Sequence, residues 1–366
     1  MKSRIYYPHL DTLRVFFVFL VLSHHWLSKN PFMFLPFGST IAFVLSGFLL
    51  TGPLLYAKKE KETYWANTIN FLGRRLLRTI PVYLLVLLGY FILNVNNFRQ
   101  YGIYFITFTQ NYLIAYNGNL KAFPVGYAQT WSLAVQEQFY VLIPIVIYIL
   151  PSKYFVKFFI ALTVLGLAIR LNYFYLHLPF TYNHFTSECC IDCFSIGVLV
   201  AYYHMEHPTK LKFFLSNKSL LLGIILLYVV SILGYTNNSK DELFGGFDNL
   251  YRITERTFVS LLSIWFIAWG IYYPTNFLDK ISSSIFMKYS SKISYGIYIY
   301  HFAVASVIKR IVMYIGIQYD YYTWYIICFN FIFTIMISIL SYEFFEKPIL
   351  EFKNRWVIDN SQLKVN

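Results

Sequence analysis

An all-α membrane protein, a polytopic bundle of about 10 transmembrane helices, is the fold this sequence predicts. Three observations predict it. Of 366 residues, 58% are hydrophobic and 13% charged, with a mean hydropathy of +0.52, far too apolar for a soluble domain of this length. Apolar stretches long enough to cross about 30 Å of hydrocarbon recur along the whole chain. Lys and Arg also alternate in density between successive connections, as cytoplasmic and opposite loops do.

The apolar stretches lie at approximately 9–28, 33–56, 77–96, 131–150, 154–177, 188–204, 218–236, 256–274, 292–309 and 322–344. The first is a full span with no small-residue cleavage site behind it, so it reads as an anchor and not as a cleaved signal. With the N-terminus inside, cytoplasmic segments hold 20 Lys and Arg and the opposite side holds 8. Both termini are therefore expected inside, and residues 1–350 are expected to form one transmembrane domain followed by a short cytoplasmic tail at 351–366. The net charge of +13 is then a topology signal facing anionic lipid and implies no nucleic acid partner.

Within the first span, LDTLRVFFVFLVLSHHWL (10–27), Arg14 and His25 are eleven residues apart. Eleven helical steps bring two side chains onto nearly one face, about 16 Å apart along the axis. A charge in hydrocarbon costs roughly 2.5–3.5 kcal/mol, so both need a pocket, a partner or a job. Such a pair suits a long ligand held at one end and reacting at the other; the alternative is an Arg snorkelling to one surface and a His satisfied at the other. His24 points about 100° away from His25.

The run FVLSGFLLTG (43–52) in the second span supplies small residues for close helix approach. Before the third span, RRLLRTIP (74–81) carries Arg75 and Arg78 three residues apart. On a helix the two share a face and can grip phosphate groups; ordinary positive-inside anchoring is the other reading. The fourth span opens with TWSLAVQEQFYVLIP (130–144). Trp131 fits an interface, whereas Gln136, Glu137 and Gln138 lie deeper, at about the depth of His25. There they can orient the histidine or serve as interhelical glue.

Arg170 and Asp192 are intramembrane charges on neighbouring spans, able to pair or to line an acceptor cleft, and His301 is a further intramembrane histidine. The four cysteines, Cys189, Cys190, Cys193 and Cys328, all fall in spans and read as packing residues, so no metal centre is expected. Glu346, Lys347 and Pro348 close the last span, with Pro expected to stop the helix. Aromatic residues in the outer connection 111–129 could stack on sugar rings, although aromatics are abundant throughout.

Taken in order, LDTLRVFFVFLVLSHH, GSTIAFVLSGFLL, RRLLRTIP, TWSLAVQEQFY, DCFSIGVLVA, SYGIYIYH and SYEFFEKP resemble the acyltransferase-3 family of membrane acyltransferases over nearly the whole chain. The likeness is to the form without a fused extracytoplasmic esterase-like domain. It implies a bacterial cell membrane and acyl transfer, commonly acetyl, to glycans, glycolipids or related acceptors. It implies that His25 is catalytic, that Arg14 supports the acyl donor, and that Arg75 and Arg78 hold the phosphates of acyl-CoA, a co-substrate rather than a permanently bound cofactor. In the family pattern a carboxylate usually stands where this chain has Gln136, with Glu137 at a more variable neighbour, and an Arg often stands at Cys190. Trp131, Arg170, Asp192 and His301 are the expected acceptor-binding residues. A transporter or flippase using the same intramembrane charges is the competing reading, and a ligand binder without turnover a third.

Overall fold

The computed structural model describes residues 7–27, 37–59, 63–117, 129–238, 250–273, 275–318, 320 and 323–352. Most of the aromatic outer connection, at 118–128, and the expected tail from 353 onward lie outside the described residues. Among the described residues the secondary structure is helical, with no strand. Helices α1 (Pro8–Leu27), α2 (Phe37–Lys59) and α3 (Tyr64–Ile92) are followed by two short ones, α4 (Phe98–Ile106) and α5 (Gln110–Tyr116). Next come α6 (Trp131–Ile149), α7 (Phe155–Tyr175), the short α8 (Phe180–Phe185) and α9 (Ile191–Glu206). The chain continues through α10 (Pro208–Ser216), α11 (Lys218–Asn238), α12 (Leu250–Tyr272), α13 (Asn276–Ser283) and α14 (Ile285–Tyr314). It closes with α15 (Trp324–Ser341), a π-helical turn at Tyr342–Glu346, and α16 (Lys347–Phe352).

Each of the ten apolar stretches coincides with a helix, yet among the described residues seven helices are long and apolar enough to cross a membrane, or nine if two bent pairs each count as one span. The tenth, α9, has 16 residues, about 24 Å of helix, and is buried among α2, α7 and α12. Three boundaries also differ from expectation. Helix α3 starts at Tyr64 and carries the three arginines on its first half, where a connection was expected. Helix α14 runs over 30 residues, well beyond the apolar stretch within it. Pro348 does not stop the last described helix: it sits in the first turn of α16, where a missing N–H costs no intrahelical bond.

The bundle is arranged as a membrane protein should be, with polar side chains turned inward. On α15, Asn330, Thr334 and Ser338 are fully buried while Phe329, Ile332, Phe333 and Ile337 face outward. In water that pattern would be inverted; in lipid the apolar face is the solvated one and the polar atoms face other helices. Helix α2 is the axis of the bundle, buried along most of its length from Gly38 to Ala57. It lies against α9 with backbones in contact: a Cβ on Gly197 would run into the carbonyl of Val44, and one on Gly47 into that of Phe194. This crossing and the packing of α1 on α2 and α14 set the walls of the cavity described next.

Candidate active site

One cavity of about 410 Å³ opens between α1, α2, α3, α6 and α14. Arg14 and His25 of α1 both line it, together with Arg74, Arg75 and Arg78 of α3, Gln136 of α6 and Tyr295 and Tyr298 of α14. Periodicity on two helices explains the convergence: Arg14 and His25 lie on one stripe of α1, and the three arginines lie three to four turns into a helix that packs beside α2 and α14.

The basic end is held by a few specific contacts. Arg14 donates to Asp11 Oδ1 at 2.8 Å, one turn back on α1. Arg78 donates to the carbonyl of Ser291 at 3.2 Å, tying α3 to α14. Arg75 lies face-on over the ring of Tyr140, its guanidinium carbon 3.8 Å from the centroid. The Nε–H of Arg75 is buried and makes no hydrogen bond. Several guanidinium groups gathered around one cavity have the chemistry to grip a polyanion.

At the other end, the His25 ring stacks on His301, with centroids 5.4 Å apart and planes at 28°, and meets Phe302 edge-on at 4.7 Å. His301 Nδ1 lies 2.6 Å from the carbonyl oxygen of Tyr298. A carbonyl only accepts, so Nδ1 carries the hydrogen and Nε2 keeps its lone pair; that Nε2 is buried and has no hydrogen-bond partner. His301 itself does not line the cavity and stands behind His25. His24, expected to point elsewhere, also borders the cavity, because neighbours 100° apart can both flank a wide opening.

The α6 residues divide. Gln136 faces the cavity, and Glu137, one step on, is buried against α3 with Arg75 and Thr79 as its electrostatic neighbours. The expected partnership of Glu137 with His25 is therefore not the contact seen: the ionisable groups beside His25 are His301 and His24. Gln138 is glue, bonding to the Phe108 carbonyl at 2.6 Å and to Asn111 at 3.0 Å. Trp131 lines the cavity but is buried by protein, with His184 and Phe185 each 5.2 Å away, so it is not an interfacial residue.

Arg170 and Asp192 pair and do not line the cavity. Two guanidinium nitrogens meet the two carboxylate oxygens at 3.0 and 2.7 Å, and both side chains are fully buried. Arg170 also donates to the carbonyl of Ile253 at 2.8 Å and to Thr257 at 2.6 Å, which leaves the pair saturated by protein. Among the described residues no cluster of His, Cys, Asp and Glu has the geometry of a metal site.

Sequence reasoning did not single out Tyr298, Tyr140 or His184. Tyr298 lines the cavity and its hydroxyl lies 2.7 Å from Ser132 Oγ and 2.6 Å from the Gln129 carbonyl. With 34 tyrosines in the chain, composition could not mark these two.

The family model described as an acyltransferase domain matches residues 7–343. The chain is 26% identical over 374 residues to "Putative O-acetyltransferase SACOL0978" of Staphylococcus aureus (strain COL) and 26% identical over 379 residues to "O-acetyltransferase OatA" of Staphylococcus aureus (strain NCTC 8325 / PS 47). It is 28% identical over 381 residues to "Putative peptidoglycan O-acetyltransferase YrhL" of Bacillus subtilis (strain 168). These alignments take in 95%, 95% and 94% of this chain but only 58%, 58% and 55% of the respective relatives. No solved structure matches the chain.

Proposed function

This chain belongs to the acyltransferase-3 family, and on that premise we propose that it is a membrane O-acetyltransferase that takes acetyl from cytoplasmic acetyl-CoA and delivers it to a hydroxyl of a glycan or glycolipid at the outer face. The observation that carries the reading is a single cavity bordered by four arginines and by His25, with Arg14 and His25 on one face of one helix. Coenzyme A is long and anionic at one end and carries its thioester at the other. A site with a basic grip and an imidazole about 16 Å further along a helix suits that shape.

In this reading Arg14, Arg74, Arg75 and Arg78 hold the phosphates and the thioester carbonyl lies beside His25. Nε2 or Nδ1 of His25 takes the proton of the acceptor hydroxyl as its oxygen attacks the carbonyl carbon. The tetrahedral intermediate collapses with cleavage of the carbon–sulfur bond, and the imidazolium returns its proton to the departing thiolate. The acetyl ester and free CoA are the products. A route in which His25 carries the acetyl group transiently uses the same residues. Burial of the site among apolar helices excludes water, which limits hydrolysis of the thioester. The relatives' names support acetyl as the group transferred, and YrhL's name supports a glycan acceptor.

The test is transfer by purified protein in liposomes, with acetyl-CoA labelled in the acetyl group and a polysaccharide or lipid-linked sugar supplied on the other side. Label appearing as an alkali-labile ester on the acceptor, dependent on His25, is the expected result. Scrambling or uptake of a lipid-linked sugar without any acetyl donor, and without label transfer, overturns it in favour of a transporter.

A further inference from the structure

We propose that Tyr140 is a positioning residue that prepares both halves of the cavity at once, through its ring for the arginine grip and through its hydroxyl for Gln136. The proposal rests on the donor reading above. Tyr140 is buried, with 3% exposure, and does not itself line the cavity. Its ring lies under the guanidinium of Arg75 at 3.8 Å. Its hydroxyl is 2.9 Å from Ser46 Oγ on α2 and 3.3 Å from Gln136 Oε1 one turn back on α6. Arg75, Ser46 and Gln136 all line the cavity.

The two contacts do different work. A guanidinium has its N–H bonds in its own plane, so a ring beneath its face attracts the charge without consuming a donor. An arginine held instead by a carboxylate fork would have spent two of its five donors on protein. The ring therefore fixes Arg75 without spending any of its N–H groups, and the side chain lines the cavity where an anionic ligand would meet them. Glu137, one turn before Tyr140 on α6, is an electrostatic neighbour of Arg75 on α3.

The hydroxyl acts on Gln136. A phenol has one hydrogen, so with the Ser46 hydroxyl donating to it Tyr140 donates to the amide oxygen of Gln136, and on that arrangement the amide NH2 is the end assigned to the cavity that Gln136 lines. That polarity presents a hydrogen-bond donor to a substrate, where a carboxylate at this position would present only acceptors. An N–H facing the cavity is the kind of group that stabilises negative charge developing on a thioester carbonyl oxygen. Gln136 in this chain is thus assigned to the oxyanion and not to the orientation of His25, and Tyr140 sets which end of the amide faces inward.

The experiment separates ring from hydroxyl. Tyr140→Phe keeps the ring: CoA affinity, measured by calorimetry on purified protein, should stay within twofold, while turnover of acetyl transfer falls at least fivefold with little change in the Michaelis constant for acetyl-CoA. Tyr140→Leu removes both, and CoA affinity should fall at least fivefold as well. Combining it with Arg75→Gln should weaken CoA binding no further than Arg75→Gln alone. Should Tyr140→Leu fail to fold, successively fluorinated phenylalanines at position 140 keep the volume and should weaken CoA binding stepwise as the ring face loses electron density. Equal loss of CoA affinity in Tyr140→Phe and Tyr140→Leu, additive losses in the double variant, or an unaltered turnover in Tyr140→Phe overturns the proposal. If the unmodified protein neither binds CoA nor transfers acetyl, the donor reading fails and takes this inference with it; if it does both and the Tyr140 variants match it, only this inference fails.

Discussion

The imidazoles of His25 and His301 stack 5.4 Å apart at 28°, and the buried member of the pair, His301, is fixed by its Nδ1–H bond to the Tyr298 carbonyl. A histidine on α1 thus packs against two adjacent rings of α14, His301 and Phe302, and its ionisable neighbours are histidines and not a carboxylate. That relationship makes the role of His25 separable from that of its neighbours.

His25→Ala is expected to abolish acetyl transfer while leaving expression and detergent-extracted monodispersity intact, since the ring is only partly buried and its removal breaks no hydrogen bond that holds helices together. His24→Ala should retain much more activity, although His24 also borders the cavity, because its ring meets His25 edge-on at 5.3 Å and points about 100° away from it around the helix. Equal loss in the two variants would argue against a specific base at His25.

His301→Phe should preserve the stacking area but lose the Nδ1–H bond to Tyr298, so the ring beneath His25 is no longer held in one rotamer. Turnover should fall with the Michaelis constant for acetyl-CoA little changed, because the arginine end is untouched. A rise in that constant alone would place His301 in donor binding instead.

Arg75→Gln and Arg78→Gln should each raise the apparent Michaelis constant for acetyl-CoA about tenfold or more, with smaller effects on turnover. Charge-assisted contacts contribute roughly 1.5–3 kcal/mol each, and contacts remote from the thioester act mainly on binding. Unchanged donor affinity in the double variant would return both residues to membrane anchoring.

Gln136→Glu should lower turnover, since it replaces the cavity-facing amide donor with acceptors, and Gln136→Asn should be milder. Glu137→Gln should act differently, lowering thermal stability and donor affinity through the loss of compensation at Arg75. Rates and melting curves of the three variants decide between these roles; a gain of activity in Gln136→Glu would restore the carboxylate-orienting role to this position.

Arg170→Gln or Asp192→Asn should destabilise the fold by about 3–5 kcal/mol, the usual result of stripping one member from a buried ion pair. Both groups are fully buried and mutually bidentate, so the loss should appear in yield and melting temperature. Whatever protein survives should show near-normal kinetic constants. A stable variant with altered acceptor preference would instead put the pair in the acceptor site.

The membrane class, the segment positions and the pairing of Arg14 with His25 were legible in the sequence because they are local: hydropathy over twenty residues and the helical repeat need no knowledge of neighbours. The arginines of α3 were legible as types and spacing in the same way. Which of two adjacent α6 residues faces the cavity was not, since a rotation of 100° separates Gln136 from Glu137 and only the packing of α6 on α2 and α3 fixes that angle. The same holds for His301 behind His25 and for Tyr140 beneath Arg75, contacts between helices far apart in the chain. Arg170 and Asp192 looked like site residues because an intramembrane charge demands a partner; tertiary structure decided that each is the other's. In a lipid-solvated bundle the outward face is written in hydropathy, while the inward arrangement of polar groups is set by which helices meet and at what rotation.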